Sequence, residues 1–177
     1  MGNPAVEISG LEIIGNRISG QPTGILLDDT TGHAQIAFNT ARQSGSGINV
    51  LGADHVWIAH NTLLQNNTGL YLSYLTDSLL DENLVQQSTG DGLEFHVQAA
   101  DDTARENTSR QNGADGIHVF NEAGVSGNTF RENALTGNAT FDAQDDTHGS
   151  STSGTSDTWE QNACTTSLPG GLCEGTD

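Results

Sequence analysis

The sequence predicts an all-β fold, a parallel β-helix in which one chain winds through about six to seven stacked coils. Three observations predict it: an asparagine that recurs every 21–24 residues, a glycine that recurs every 22–24 residues half a coil later, and alternating apolar residues beside both. Alternation is the side-chain period of a β-strand. One coil cannot bury its own apolar residues, whereas stacked coils with parallel strands ~4.8 Å apart can.

The asparagine ladder marks a corner that repeats in every coil. Its members are Asn16, Asn39, Asn61, Asn83, Asn107 and Asn128. Two core columns are expected beside it: Ile13, Ile36, Ile58, Leu80, Ala104 and Val125 before the corner, and Ile18, Ala41, Leu63, Val85, Ser109 and Phe130 after it. A side-chain amide that turns inward in every coil can bond to the amides above and below, which satisfies buried polar groups along the stack.

The glycine ladder marks the start of another strand in each coil. It consists of Gly24, Gly47, Gly69, Gly92 and Gly116. The first and third residues after each glycine are apolar and are expected to face the core, so the second and fourth should face outward. We expect the glycines to supply a backbone conformation that residues with a Cβ avoid.

The pattern divides the chain into three segments. Residues 1–144 form the coils with both ladders, residues 145–157 are rich in Ser, Thr, Gly and Asp and are expected to be a flexible loop, and residues 158–177 form a last partial coil and a cap. Trp159 is expected at a core position. The pattern is already running at Val6–Ile8 with no helix before it, so the first coil is expected to be open.

The two cysteines, Cys164 and Cys173, lie close together near the C-terminus. A local disulfide is the simplest interpretation, and it would imply an oxidising compartment; two free thiols are the alternative. A disulfide here would form a lid over the last coil, whose backbone groups are otherwise unpaired.

The charge of the chain excludes several partners. Five Arg, no Lys and 23 acidic residues give a net charge of −18. Nucleic acids and anionic membranes bind cationic surfaces, so neither is expected as a partner. No apolar run approaches the ~20 residues of a membrane span. The acidic surface fits solubility in an extracellular or salty setting, or a surface that gathers cations such as Ca²⁺.

A candidate site lies among the outward residues of the glycine-initiated strands. Stacking them in register predicts a patch in the third to fifth coils, composed of Tyr71, Ser73, Tyr74, Glu94, His96, His118 and Phe120. Glu94, His118, His96 and Tyr71 are the candidates for acid–base catalysis, and Tyr74, Phe120 and Ser73 for binding substrate. A plain solvated face is the alternative.

Asp91 and Asp115 are the candidate metal ligands. Each precedes a ladder glycine, in consecutive coils, so the two carboxylates are expected roughly 5 Å apart. Two stacked carboxylates repel, so either one pKa rises or a cation binds between them, with calcium as the candidate. Turn residues without a ligand are the alternative.

The asparagine ladder resembles that of the right-handed parallel β-helix superfamily, which includes pectate lyases, alginate epimerases, phage tailspikes and periplasmic proteins of copper processing in nitrous oxide reductase maturation. The segment from Trp159 to Cys173 resembles the ending of secreted bacterial β-helix repeat proteins, especially those of actinobacteria. The resemblance covers nearly the whole chain and implies the fold. It implies no catalytic residue, because the chain carries no Asp-Pro-His epimerase motif, no nonapeptide calcium repeat and no Arg-rich lyase cluster.

Two hypotheses of function follow. The first is a secreted, extracellular or periplasmic β-helix module that recognises a polysaccharide and, in its stronger form, processes it through the patch around Tyr71, Glu94, His96 and His118. The second is a structural or adhesive solenoid without a small-molecule site. The open first coil favours the second, because exposed parallel strands allow end-to-end self-association.

Overall fold

The computed structural model describes residues 10–30 and 32–174, and they form a parallel β-solenoid of about seven turns. The strands of successive turns form three parallel sheets of seven, six and seven strands, which run along the axis of the solenoid. This confirms the fold class that the two ladders predict. Val6–Ile8, on which the expectation of an open first coil rests, lie outside the described residues.

Most strands are short, and the long ones are the first three strands of the third sheet. The first sheet contains Glu12–Ile14, Gln35–Ala37, Trp57–Ala59, Leu79–Asp81, Thr103–Arg105, Thr129–Arg131 and Thr158–Glu160. The second contains Arg17–Ser19, Thr40–Arg42, Thr62–Leu64, Leu84–Gln86, Thr108–Arg110 and Ala134–Thr136. The third contains Thr23–Thr30, Ser46–Asp54, Thr68–Thr76, Leu93–Phe95, Ile117–Val119, Ala143–Asp145 and Ser167–Leu168. A 3₁₀ turn spans Thr152–Gly154.

The core consists of side-chain columns that pass from coil to coil. In the first sheet the column reads Ile13, Ile36, Ile58, Leu80, Ala104, Phe130 and Trp159. In the second sheet it reads Ile18, Ala41, Leu63, Val85, Ser109 and Leu135. Both columns match the predicted ones through the fifth coil. Trp159 is buried and stacks on Phe130 at a ring-centroid distance of 4.2 Å.

The asparagine ladder is confirmed as far as Asn107, but its next member is Asn133 rather than Asn128. The Nδ2 of Asn107 donates to Oδ1 of Asn133 at 3.1 Å, and Asn133 donates in turn to Asn162 at 2.9 Å. Placing Val125 and Phe130 after Ala104 and Ser109 in the core columns was wrong for the same reason. This coil holds 26 residues between ladder members, so the 21-residue step to Asn128 falls one corner short.

The ladder glycines are needed for close packing and not for an unusual backbone conformation. None of the five has a positive φ angle. A Cβ on Gly47 would lie 2.7 Å from the carbonyl oxygen of Gly69, and the other ladder glycines face the next coil in the same way. The expectation that they supply a conformation closed to other residues was therefore wrong; a side chain is excluded because consecutive coils approach too closely there.

The segment 145–157 is connected to the last coils by polar side chains. Thr147 is buried and its backbone N–H donates to Oδ1 of Asp145 at 3.0 Å. The indole N–H of Trp159 donates to the other Asp145 oxygen at 2.9 Å. The segment therefore packs against the end of the core rather than standing away from it.

A disulfide joins Cys164 and Cys173, as the sequence predicts. Cys164 and Leu172 are buried and belong to the hydrophobic core, so the loop closed by the disulfide covers the C-terminal end of the solenoid. Among the described residues no helix has the length and apolar character needed to cross a bilayer.

A second polar column occupies the corner where Asn128 lies. Asp102 accepts a hydrogen bond from the N–H of Ser78 at 2.9 Å, and the N–H of Asp102 donates to Asn128 at 3.1 Å. Asp102 is 1% exposed, and its Oδ2 makes no hydrogen bond within the described part of the chain. Burial raises the pKa of Asp102 to about 8, so the carboxyl keeps its proton at neutral pH.

Replacing Asn83 by alanine should destabilise the solenoid by about 2–4 kcal/mol, because the substitution removes the ladder bonds to Asn61 and Asn107 and leaves buried groups unpaired. Urea unfolding measures the loss of free energy. The exposed Asn121→Ala serves as the matched control and should change stability little. An Asn83→Ala protein as stable as the control would contradict a structural role for the ladder.

Asp102→Asn should make the protein more stable, and the gain should grow with pH. The folded carboxyl keeps its proton up to a pKa of about 8, whereas the unfolded one ionises near 3.8, so the native protein loses stability as pH rises between these values. Unfolding by urea at pH 5 and pH 9 measures the gain in stability. Each unit of difference between the folded and unfolded pKa values contributes about 1 kcal/mol, so the gain should reach a few kcal/mol at pH 9. Glu160→Gln removes an exposed carboxylate and should show no such trend. An equal effect of Asp102→Asn at both pH values would be inconsistent with a buried, protonated Asp102.

Candidate functional site

The outward column of the third sheet carries the central residues of the predicted patch. Strand pairing places Leu26, Asn49, Tyr71, Glu94, His118 and Gln144 at equivalent positions in successive coils. Tyr71, Glu94 and His118 are therefore direct neighbours along the axis, each half-buried. The register follows from the apolar residues on either side of the column, which face the core.

Four rings stack beside this column. Tyr71 stacks on His96 at a centroid distance of 4.4 Å, His96 on Phe120 at 4.1 Å, and His118 on Phe120 at 3.7 Å. Tyr71 and His118, at the two ends of the stack, are the second residues after their ladder glycines, and His96 and Phe120, in its middle, are the fourth. Because each ring is held by the next, the two imidazoles have little freedom to rotate, and their nitrogens point in defined directions.

His96 is held between two carboxylates. Its Nε2 lies 3.1 Å from Glu94 Oε2, and its Nδ1 lies 3.4 Å from Glu122 Oε1. Glu122 is positioned by the backbone N–H of Val97 at 2.7 Å, and Glu94 accepts the hydroxyl of Thr68 at 2.9 Å. Burial alone lowers the pKa of His96, but the bonds to Glu94 and Glu122 outweigh it, so the pKa lies above its ordinary value.

His118 lies within reach of three carboxylates. Its Nδ1 is 3.5 Å from Asp91 Oδ2 and 3.4 Å from Asp115 Oδ2, and its Nε2 is 3.1 Å from Asp146 Oδ2. Burial lowers the pKa of His118, but hydrogen bonding to Asp91 and Asp146 raises it more, so the net shift is upward. Burial also raises the pKa of Asp115.

Asp91 and Asp115 both complete the corner that leads into the third sheet. Asp91 Oδ1 accepts the N–H of Asp115 at 2.6 Å, and Asp115 Oδ1 accepts the N–H of Phe141 at 2.7 Å. One oxygen of each carboxylate therefore satisfies the backbone of the next coil, and the other is directed at His118. The two residues are neighbours in consecutive coils, as the ladder spacing predicts.

The hydroxyl of Tyr71 stays protonated over the physiological range. Burial raises the pKa of Tyr71 above its ordinary value, and the charges of Glu122 and Glu94 raise it further. Tyr71 can therefore donate a hydrogen bond to a bound group, while Glu94 can accept one from a position one coil away.

Two residues of the predicted patch lie apart from the ring stack. Ser73 is buried, and its hydroxyl donates to the carbonyl of Val97 at 3.4 Å. Tyr74 is 49% exposed and borders an open groove of about 800 Å³ on the earlier coils. The groove is lined by Asp28, Asp29, Leu51, Gly52, Ala53, Asp54, Tyr74 and Thr76.

Three residues that sequence reasoning missed complete the site. Thr68 occupies the position before a ladder glycine, as Asp91 and Asp115 do, so the register could have identified it. Glu122 and Asp146 lie in turns after the strands of the third sheet, in the coils that are longer than the repeat. No periodic signal marks residues in those turns.

The comparisons with known proteins identify a family and nothing narrower. A family model described as "Right handed beta helix region" matches residues 6–163. No curated protein and no solved structure matches the chain.

Asp146→Asn should lower the pKa of His118, because it removes one of the anionic partners that raise it. The ring resonances of the six histidines, followed by NMR across a pH titration, measure the shift. His96 is the internal control, since its partners are Glu94 and Glu122 and its titration should not change. An unchanged His118 titration would show that Asp146 does not contact the ring in solution.

Proposed function

The chain belongs to the right-handed β-helix family, and we propose that it is an extracellular module that binds a polysaccharide along the outer face of its third sheet. The observation that carries the proposal is the column of Tyr71, Glu94 and His118, which presents a donor, an acceptor and an imidazole in three consecutive coils. The groove beside Tyr74 extends the same face over the earlier coils.

The spacing of the column suits a polymer of sugars. Consecutive coils are ~4.8 Å apart, which is close to the length of one sugar unit in an extended polysaccharide. A chain of sugars running along the solenoid axis would therefore present equivalent hydroxyls to each coil in turn. A series of hydrogen bonds from one rigid surface binds such a ligand with little loss of protein conformational entropy.

The groove supplies an apolar contact for the faces of the sugar rings. Tyr74 is half exposed, and Leu51 lies beside it in the groove. The C–H faces of sugars pack on aromatic rings of this kind, while the hydroxyls at the ring edges bond to polar side chains. Glu94 and His96, each held by its own partners, would fix the orientation of those hydroxyls.

The charge of this face selects against acidic sugars. Glu94, Glu122 and Asp146 surround the two histidines, and Asp29 and Asp54 line the groove. The whole chain has a charge of −18. A polyuronate would be repelled by this surface, so the proposed ligand is a neutral polysaccharide.

An extracellular location is part of the proposal. The disulfide between Cys164 and Cys173 is stable in an oxidising compartment, and the high negative charge keeps the protein soluble there. The family resemblance of the C-terminal segment supports the same location.

Processing of the bound polysaccharide is the second candidate function. It is favoured by His96, which is held between Glu94 and Glu122 with its pKa raised, so the ring keeps its proton to a higher pH than a free imidazole and can serve as a general acid. Tyr71, stacked on His96, supplies a second proton donor. In this scheme Glu94, His96, His118 and Tyr71 are the catalytic groups.

Tyr74→Ala should weaken binding to a neutral polysaccharide about tenfold, which corresponds to ~1.4 kcal/mol. A glycan array identifies the ligand, and titration calorimetry with wild type, Tyr74→Ala and Tyr71→Ala measures the change. Phe38 is exposed and stacks on His60 outside the third sheet, so Phe38→Ala is the matched control and should bind as wild type does.

Failure of the wild-type protein to bind any glycan would overturn the proposal and favour the structural solenoid. Sedimentation at rising protein concentration would then test end-to-end self-association directly. Equal loss of affinity in Tyr74→Ala and Phe38→Ala would also contradict it, because binding would not then depend on the third sheet.

A further inference from the structure

We propose that Asp91, Asp115 and His118 form a binding site for a divalent cation of the zinc class. Asp91 and Asp115 lie in consecutive coils at the corner that leads into the third sheet, and His118 lies three residues after Asp115, in the strand Ile117–Val119. Their candidate ligand atoms all lie within 4.8 Å of one another. The proposal goes beyond polysaccharide binding and does not depend on it.

The separations between these atoms fit a metal better than a hydrogen bond. His118 Nδ1 is 3.5 Å from Asp91 Oδ2 and 3.4 Å from Asp115 Oδ2. Hydrogen bonds from nitrogen to oxygen span about 2.7–3.2 Å. A tetrahedral ion with ligands at about 2.0–2.2 Å separates neighbouring ligand atoms by about 3.3–3.6 Å. The two nitrogen–oxygen separations thus match those between ligands of one ion, and all three atoms lie within 4.8 Å of one another.

The two carboxylates are buried, and a backbone N–H satisfies one oxygen of each. Asp91 is 8% exposed and Asp115 is 4% exposed. The Oδ1 atom of each accepts a backbone N–H, and the Oδ2 atom of each approaches the His118 ring, at 3.5 Å for Asp91 and 3.4 Å for Asp115. Both Oδ2 atoms are directed at the same ring nitrogen. Two buried carboxylates side by side are costly unless a cation compensates them.

The far side of the imidazole is arranged as it is in metal-binding histidines. His118 Nε2 lies 3.1 Å from Asp146 Oδ2, and the Gln144 amide donates to both Asp146 oxygens at 3.0 and 3.2 Å. A proton on Nε2 leaves the lone pair of Nδ1 facing Asp91 and Asp115. A carboxylate that accepts the second ring N–H fixes the tautomer and makes the imidazole a stronger ligand.

The ligand types select the ion. One imidazole and two carboxylates suit Zn²⁺ and its neighbours in the first transition row. Ca²⁺ takes about 6–8 oxygen ligands and does not favour imidazole, so it should bind this site weakly. Three protein ligands leave a fourth position for water or for a hydroxyl of a bound molecule.

Titration calorimetry with ZnCl₂ tests the site on the tag-free full chain after chelation and dialysis. Wild type should bind one Zn²⁺ with an affinity that exceeds its affinity for Ca²⁺. Asp115→Asn and His118→Gln should each weaken Zn²⁺ binding about a hundredfold or more, since loss of an outer partner alone costs about 10–100-fold. Co²⁺ should give the visible absorption bands of a tetrahedral nitrogen and oxygen site in wild type and not in the variants.

Asp115→Asn keeps the fold testable, because the remaining oxygen can still accept the N–H of Phe141. The matched control is His55→Gln, which removes an exposed histidine paired with Asp54 at 2.9 Å; it should bind Zn²⁺ as wild type does. The proposal is overturned if wild type binds no Zn²⁺, if Ca²⁺ binds this site more tightly than Zn²⁺, or if Asp115→Asn and His118→Gln bind Zn²⁺ as tightly as the control.

Discussion

Vertical register between coils is the constraint on which the rest of the structure depends. Each strand residue pairs with the equivalent residue one coil away, so a position in the core or on the surface is repeated along the axis. The asparagine ladder maintains this register at a corner where the chain turns and strand pairing ends. Asn61 donates to Asn83 and accepts from Asn39, so a coil that slipped would lose bonds on both sides.

The number of residues in a coil can vary in the turns, where strand pairing does not fix the register. The distance between ladder members rises from 22 residues at Asn61 to 29 residues at Asn133, yet the stack continues unbroken. The additional residues leave the stack in turns after the third sheet. Those turns carry Glu122 and Asp146, which hold His96 and His118 in place. Repeated columns thus supply the spacing of the candidate site, and irregular turns supply the charges that orient its rings.

Corner carboxylates explain both the polar interior and the proposed cation site. The side-chain amide of an asparagine at a corner can accept a backbone N–H and donate to a carbonyl. A carboxylate at the same place can only accept, so its second oxygen cannot take the place of the amide donor. At Asp102 the remaining oxygen is deeply buried, and the pKa rises to about 8, so a proton neutralises the group. At Asp91 and Asp115 the remaining oxygens meet an imidazole at the edge of the surface. An aspartate at a corner of the coil is thus a neutral acid at Asp102 and a candidate metal ligand at Asp91 and Asp115.

By itself the sequence determined the solenoid, the core columns of the first five coils, the neighbourhood of Asp91 and Asp115, and the disulfide, because these follow from a regular period or from short separation along the chain. Only the tertiary structure decided that Asn133 continues the ladder, that Tyr74 borders a separate groove, and that Asp146 reaches His118. Those outcomes depend on how many residues of each coil lie in turns outside the stack. The repeat length of the regular coils does not predict that number. The ladder glycines show the same limit: their spacing marks the repeat, but the reason for glycine is the approach of the neighbouring coil, which exists only once the coils are stacked.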